Sequence, residues 1–291
     1  MHLETILWPL CLFGFTFIIG ILAPISGVGG GVLFVPLATA FFPINIDFIR
    51  GTGLVMAMVS ALSSSPQFLK EGMANIKIMA PIVIISLISS VAGGMLGLWI
   101  TNNMPNGKDY VEIALGVVLF AIFIVYLFSK RLEYPPERPP DLISQTLGIN
   151  GRFYDQYLGK TVAYQTSRMW VGLPAFVLVG ALAGMFGMGA GWANVPLLNL
   201  VMGVPLKVAT STSMLVISVN DSAASWVYLI NGAVLPLVVI PCVLGTTIGA
   251  RIGTRIASRT KPQYVKYLVM GIMLLAAVLD IQKGISGLNI W

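Results

Sequence analysis

Apolar residues along this chain gather in runs too long for the elements of a soluble core, separated by short polar breaks. In the first half the runs are Ile6 to Ala23, a short one from Val32 to Phe42, then Leu54 to Leu69, Ile76 to Ile100 and Val111 to Phe128. The second half repeats the series as Val171 to Phe186, the short Trp192 to Met202, Met214 to Ile230, Val234 to Gly253 and Tyr264 to Ile281. A helix needs about 20 apolar residues to cross a bilayer, and shorter runs survive where helices are broken or shielded by protein. The pattern predicts an all-α polytopic membrane protein of about ten transmembrane segments, five per half, the second short or broken in each. Residues 1–128 form the first repeat, 129–169 a cytoplasmic linker carrying Pro135-Pro136 and Pro139-Pro140, and 170–291 the second repeat. Within the linker an interfacial helix is expected near Phe153 to Tyr164.

The two halves also match residue by residue. Gly27-Val28-Gly29-Gly30-Gly31 recurs as Gly187-Met188-Gly189-Ala190-Gly191, an offset of 187 − 27 = 160. The same offset pairs Pro36 with Pro196, Gly51-Thr52-Gly53 with Ser211-Thr212-Ser213, Gly72 with Gly232 and Pro81 with Pro241. It then shortens by about one helical turn, so that Gly93-x-x-x-Gly97 meets Gly249-x-x-x-Gly253. Such a duplication in a membrane protein points to a transporter or a channel.

Charge then sets orientation, because cytoplasmic loops carry the excess of Lys and Arg. If every segment crosses and the linker is cytoplasmic, Lys70, Lys77, Lys130, Arg131, Arg138, Arg152, Lys160, Arg168, Lys207, Arg251, Arg255, Arg259, Lys261 and Lys266 lie inside, and only Arg50, Lys108 and Lys283 outside. Were the short segments re-entrant loops returning to the same face, Arg251 to Lys261 would move outside and the bias would weaken. Five crossings per half is an odd number, so the two repeats are predicted to be inverted, related by a pseudo-two-fold axis in the membrane plane.

Composition removes several classes of function. With 57% hydrophobic and 10% charged residues the chain is no ordinary soluble domain, where about a quarter are charged. The net charge of +6 sits at segment ends and forms no basic stripe with interleaved aromatics, so no nucleic-acid partner is expected. Cys11 and Cys242 lie in apolar runs and His2 has no companion, which leaves neither a disulfide framework nor a metal site. No His, Cys or paired-carboxylate cluster offers catalytic chemistry, so neither an enzyme nor a cofactor is expected. The first segment lacks Lys or Arg ahead of it and an A-x-A site behind it, and reads as a retained membrane helix.

Candidate chemistry lies in the repeated motifs. Runs of glycine before a helix leave backbone N–H groups open to a cavity, and a helix start carries about half a positive charge. Gly27, Gly29, Gly30, Gly31, Gly187, Gly189 and Gly191 are therefore candidates to hold an anion through the backbone; the competing reading is close helix packing. Gly93, Gly97, Gly249 and Gly253 sit inside long runs and read as packing residues. Thr52, Ser211, Thr212 and Ser213 either cap the following helix or give hydroxyl donors to the same anion. Asn194 and Asn220 are polar intruders in apolar surroundings. Asp221 is the acidic group set well inside an apolar run, where a carboxylate is costly and faces a cavity or a partner; it is the candidate to couple transport to H⁺ or Na⁺. Trp192 walls the cavity or simply packs, and Arg251 and Arg255 read as cytoplasmic anchors.

These stretches resemble the TauE/SafE sulfite exporter family of membrane permeases. The likeness rests on G-V-G-G-G-V-L-F-V-P-L at Gly27 to Leu37, G-M-G-A-G-W-A-N-V-P-L at Gly187 to Leu197, A-T-S-T-S-M at Ala209 to Met214 and I-G-A-R-I-G-T-R-I at Ile248 to Ile256. The resemblance implies a secondary transporter, an exporter, of small sulfur-containing anions such as sulfite or organosulfonates. The residues alone also admit a passive small-anion channel on the same scaffold. They select neither the anion, nor the direction of transport, nor an oligomer; a homodimer is one assembly among those open.

Overall fold

The computed structural model describes residues 2–42, 44–128, 133–136, 139–155, 159–257, 259 and 263–288, without the side chains of 2–7, 263–266, 268 and 269. Lys130, Arg131, Arg138 and Lys261, and the side chain of Lys266, which enter the charge count, lie outside the described residues.

The apolar runs become helices. In the first half these are α1 (His2–Ser26), α2 (Gly30–Phe41), α3 (Ile46–Lys70), α4 (Ile76–Asn103) and α5 (Gly107–Phe128). The second half holds α7 (Met169–Phe186), α8 (Gly191–Pro196) continued by a wide π turn over Leu197–Val201, α9 (Leu206–Ile230), α10 (Pro236–Ala257) and α11 (Gln263–Gly287). Among the described residues eight helices are long and apolar enough to cross a membrane. The second helix of each half is not. At 12 residues α2 is about 18 Å long, against a hydrocarbon core of about 30 Å.

α3 and α9 begin about two turns ahead of their apolar runs. Asn45 caps α3, its side chain accepting from the Asp47 N–H at 3.1 Å. The charged residues Asp47, Arg50 and Lys207 thus lie within helices, where an apolar-run criterion stops short. Gly51-Thr52-Gly53 and Ser211-Thr212-Ser213 are consequently helix-interior residues, and their reading as caps is corrected.

The helices pack in matched pairs. α1 lies along α10 in the same direction, with Gly20 against Thr246 and Gly253 against Ile21; α7 does the same along α4, with Gly93 against Ala181 and Gly97 against Met185. The four glycines assigned to packing do meet neighbouring backbone, as small residues at membrane helix contacts do. α3 and α9 run antiparallel: Gly51 meets Ala233 at one end, and Thr212 accepts from the Asn75 N–H at 3.0 Å at the other. α5 and α11 are antiparallel too, Gly116 against Ala277 and Gly284 against Ile113.

The linker differs from expectation. It holds a short helix, α6 (Leu142–Thr146), and an antiparallel hairpin of β1 (Asn150–Asp155) and β2 (Lys160–Gln165) in place of an interfacial helix. Phe153 and Asp155 turn inward while Arg152 and Tyr154 do not, a period of two that belongs to a strand. Buried Ile149, Phe153 and Tyr164 pack with Ile78, Met169 and Val208. Lys207 at the start of α9 pairs with Asp155 at 2.9 Å, both buried, and the Tyr134 hydroxyl donates to the same carboxylate. The Asn75 amide donates to the Tyr164 hydroxyl at 2.8 Å. The hairpin is thereby tied to the end of the bundle where α3 finishes and α9 starts.

Candidate functional site

α1 and α2 form a helical hairpin whose open ends meet where Trp8 stacks edge-on against Phe42, beside the start of α3. α7 and α8 form another, closed at its open end by the Ser167 N–H donating to the Met202 carbonyl, beside the start of α9. Because α3 and α9 are antiparallel, the two hairpins enter from opposite ends of the bundle. Their tips are the two glycine stretches, and the tips touch. A Cβ on Gly31 would lie 2.8 Å from the Met188 carbonyl oxygen, and one on Gly191 would strike the Val28 backbone.

Both tips share one backbone trace. Gly27 and Gly187 have φ of 70° and 69°, Gly29 and Gly189 of 83° and 77°. A left-handed residue ends the first helix and a second positive φ starts the next, conformations that a side chain resists. The surroundings match as well: Gly27 rests on the backbone of Thr210, and Gly187 on that of Arg50, the position 160 residues earlier. Neither α2 nor α8 has a side-chain cap; in α8 the Ala193 and Asn194 N–H groups return to the Ala190 carbonyl, and the N–H groups at the very start of each helix, which helices leave open, have no side-chain acceptor.

The remaining predicted residues divide into engaged and unengaged groups. The Ser213 hydroxyl donates to the Gly27 carbonyl at 2.7 Å. Its counterpart Gly53 lies against the Gly187 carbonyl, where a Cβ would be at 2.6 Å, so one tip carbonyl has a hydroxyl and the other has bare glycine. Thr52 and Ser211 donate to carbonyls one turn back, Phe48 at 2.7 Å and Lys207 at 2.8 Å. Thr212 faces Asn75, toward the linker end. Asn220 donates to the Ser86 hydroxyl at 2.6 Å, leaving its own oxygen unpaired.

Asp221 is fully buried beside Gly189, and neither carboxylate oxygen has a hydrogen-bond partner. Asn194 is also fully buried with both amide atoms unpaired, and the Trp192 indole N–H is unpaired. Buried polar groups are normally satisfied, so Asn194, Trp192, Asn220 and Asp221 are the polar groups near the second tip and on α9 that a guest could meet.

Besides Asp47, Asp155 and Lys207, three further buried charges among the described residues escaped the sequence reading. Arg50, counted among exterior loop charges, is completely buried in α3; Asp47 three residues before it was the available signal. Glu112 and Asp280 are buried between α5 and α11. Lys283 pairs with Glu112 at 3.0 Å and donates to the Thr39 carbonyl of α2 at 3.2 Å, whereas the Asp280 oxygens have no hydrogen-bond partner. Both acids lie near the ends of apolar runs, where charge is ordinary.

Comparison with known proteins agrees with the resemblance drawn from the motifs. The family described as "Sulfite exporter TauE/SafE" matches residues 12–279. A protein named probable membrane transporter protein YunE, from Bacillus subtilis, is 27% identical over 277 residues, covering 92% of this chain and 95% of the relative. Probable membrane transporter protein MJ0441, from Methanocaldococcus jannaschii, is 26% identical over 210 residues, 70% of this chain and 66% of the relative. No solved structure matches. With the family match covering nearly the whole chain and reaching each of the eight long apolar helices among the described residues, this polytopic membrane protein belongs to the sulfite exporter TauE/SafE family and stands among membrane transporters.

Proposed function

We propose that the protein is a secondary transporter, an exporter in the inner membrane, of a small sulfur-containing anion such as sulfite or an organosulfonate. Its halves are inverted five-segment repeats that work by alternating access. The observation that carries this reading is the meeting of two hairpin tips with the same glycine-dictated backbone and uncapped helix starts. Two helix N-termini converging on one volume favour a negative guest. A sulfonate, three oxygens around one charge, suits backbone N–H donors through charge-assisted hydrogen bonds. The antiparallel run of matched helices α3 and α9, and of α5 and α11, supports inversion.

Asp221 supplies coupling in this scheme. A buried carboxylate without a partner is stabilised most readily by a proton or a cation, and an anion arriving at the neighbouring tip favours the occupied form through reduced repulsion. H⁺ or Na⁺ binding at Asp221 would thus be linked to binding of the substrate.

A thermal-shift panel of sulfite, thiosulfate, taurine, sulfoacetate, isethionate and sulfate at several pH and Na⁺ values tests the substrate class, since a bound ligand raises the melting temperature by mass action. A shift with sulfite or a sulfonate supports it; a shift with sulfate alone contradicts it. Counterflow in liposomes tests the mechanism. Trans-stimulated uptake supports a carrier, and an ohmic anion current would make the protein a channel.

A further inference from the structure

Charge does not balance between α5 and α11. Glu112 on α5 is 6% exposed and Asp280 on α11 is 0% exposed, and Lys283 is the cation beside them. The Lys283 ammonium lies 3.0 Å from Glu112 Oε1 and donates a hydrogen bond, at 3.2 Å, to the Thr39 carbonyl in the last turn of α2. Asp280 precedes Lys283 by three residues, which puts both on one face of α11. Its carboxylate feels the Glu112 charge and the Lys283 charge together, yet neither of its oxygens accepts a hydrogen bond. Close glycine contacts hold the two acids in this space: Gly116, one turn past Glu112, rests on Ala277 and Ile281, and Gly284, one turn past Asp280, rests on Asp109 and Ile113.

The neighbouring helices supply no further compensation. α2 carries no ionisable side chain, α4 carries only Lys77 at its far end, and α1 offers only Cys11, which is exposed, among its described side chains. On α5, Lys108 and Tyr110 are exposed, Asp109 faces Gly287 and adds negative charge, and Tyr126 is about four turns away. Two ionised carboxylates against one ammonium leave 1 − 2 = −1 in a largely apolar helix pair. Burying an uncompensated charge is far costlier than burying a neutral carboxylic acid. One proton brings the count to zero and turns an acceptor-only carboxylate into a hydrogen-bond donor. A metal cation fits less well, because the ammonium already holds the Glu112 oxygen and repels a second cation. The Lys283 side chain is 41% exposed, so the site stays within reach of water.

We propose that Glu112 and Asp280 share one proton beside Lys283 and form a second proton-binding site, separate from Asp221. The proton belongs to the pair rather than to either acid. Because Lys283 also holds the end of α2, whose first residues belong to the first glycine tip, the site borders one of the two hairpins. The inference goes beyond the anion-transport reading and needs neither the identity of the guest nor the role given to Asp221.

The test uses the purified full-length protein in lipid nanodiscs, with infrared difference spectra recorded through a pH titration, since a protonated carboxyl has a carbonyl band distinct from that of a carboxylate. Asp221→Asn, which silences the other buried acid, is expected to keep a protonated-carboxyl band at neutral pH that disappears as the pH rises. Adding Asp280→Asn or Glu112→Gln to it is expected to abolish the band, because either change leaves one carboxylate for one ammonium. Sodium in place of potassium should leave the band unchanged. An Asp221→Asn protein without the band, a band that survives both substitutions, or one displaced by sodium would overturn the assignment. Melting gives a second readout in the wild-type background. The native protein holds a proton that the unfolded chain releases at neutral pH, so stability falls as pH rises, and the wild-type melting temperature should fall more steeply than that of Asp280→Asn between about pH 6 and about pH 9. A purely structural pair predicts the same offset between the two proteins at every pH, and that result would contradict the proposal. None of these readouts involves sulfite or a sulfonate, so the transport reading stands or falls separately.

Discussion

Replacing Gly31 by alanine probes the contact between the tips with little backbone complication, because Gly31 already has a helical conformation and alanine is the better helix former. The added methyl would lie 2.6 Å from the Gly53 carbonyl oxygen and 2.8 Å from that of Met188. Carbon–oxygen contacts normally stay beyond about 3.3 Å, so both walls must retreat by roughly half an ångström or more. One wall is α3 and the other the opposite tip, so the strain has no flexible side chain to absorb it. Overpacking of this kind costs about 1–3 kcal/mol. Gly271→Ala in α11 is the control, since nothing lies within 4 Å of its new methyl and the helix gains up to about 1 kcal/mol. Thermal melts in detergent and counterflow in liposomes, run together, read the two effects. Gly31→Ala should melt lower and lose most exchange; Gly271→Ala should melt at or above the wild type and keep it. If Gly31→Ala melts and exchanges as the wild type does, the tips do not meet as described and the site built on them falls.

Asp221→Asn should abolish uphill transport driven by a proton or Na⁺ gradient while sparing exchange; a variant that still concentrates substrate removes Asp221 from coupling. Lys207→Met removes the Lys207 ammonium from the buried Asp155 carboxylate and should destabilise the protein by up to about 3–5 kcal/mol, with the double variant Lys207→Met/Asp155→Leu recovering much of that in the same melt. Ser213→Ala strips the donor from the Gly27 carbonyl and should lower stability by about 1–3 kcal/mol, yet retain exchange, because Gly53 already leaves the matched carbonyl bare. Complete loss of exchange in a folded Ser213→Ala protein would show that this hydroxyl serves the guest.

What could be read beforehand follows from what the bilayer imposes. Long apolar helices were visible because every spanning backbone must bond within itself and cover itself with apolar side chains. Their limits were accurate where runs end in loops, as at Ile76, and wrong where charge lies inside a helix, as at Arg50 and Lys207. The glycine tips were visible because their demand falls on backbone conformation, which few other residues meet. Their meeting was implied by the inverted plan expected for the repeats, which brings matched turns together near the midplane, and the tips do touch. The hairpin at Asn150–Asp155 and Lys160–Gln165 was missed because its few alternating residues are packed against the bundle rather than against a larger sheet. Asn194 and Asp221 stood out as polar residues in apolar runs. Asp280 and Glu112 did not, because a charge one residue from the end of an apolar run looks like an interfacial anchor.

The central claim is that the two repeats face oppositely across the membrane, so that their glycine tips approach one guest from both sides. Glu71 follows α3 and Asn231 follows α9 at matched positions, 231 − 71 = 160. With Cys11 and Cys242 replaced by alanine, single cysteines introduced as Glu71→Cys and Asn231→Cys can be labelled with a membrane-impermeant maleimide in intact cells and in inverted vesicles. The account predicts that Asn231→Cys reacts in intact cells and Glu71→Cys only in inverted vesicles. Reaction of both from the same face would contradict it.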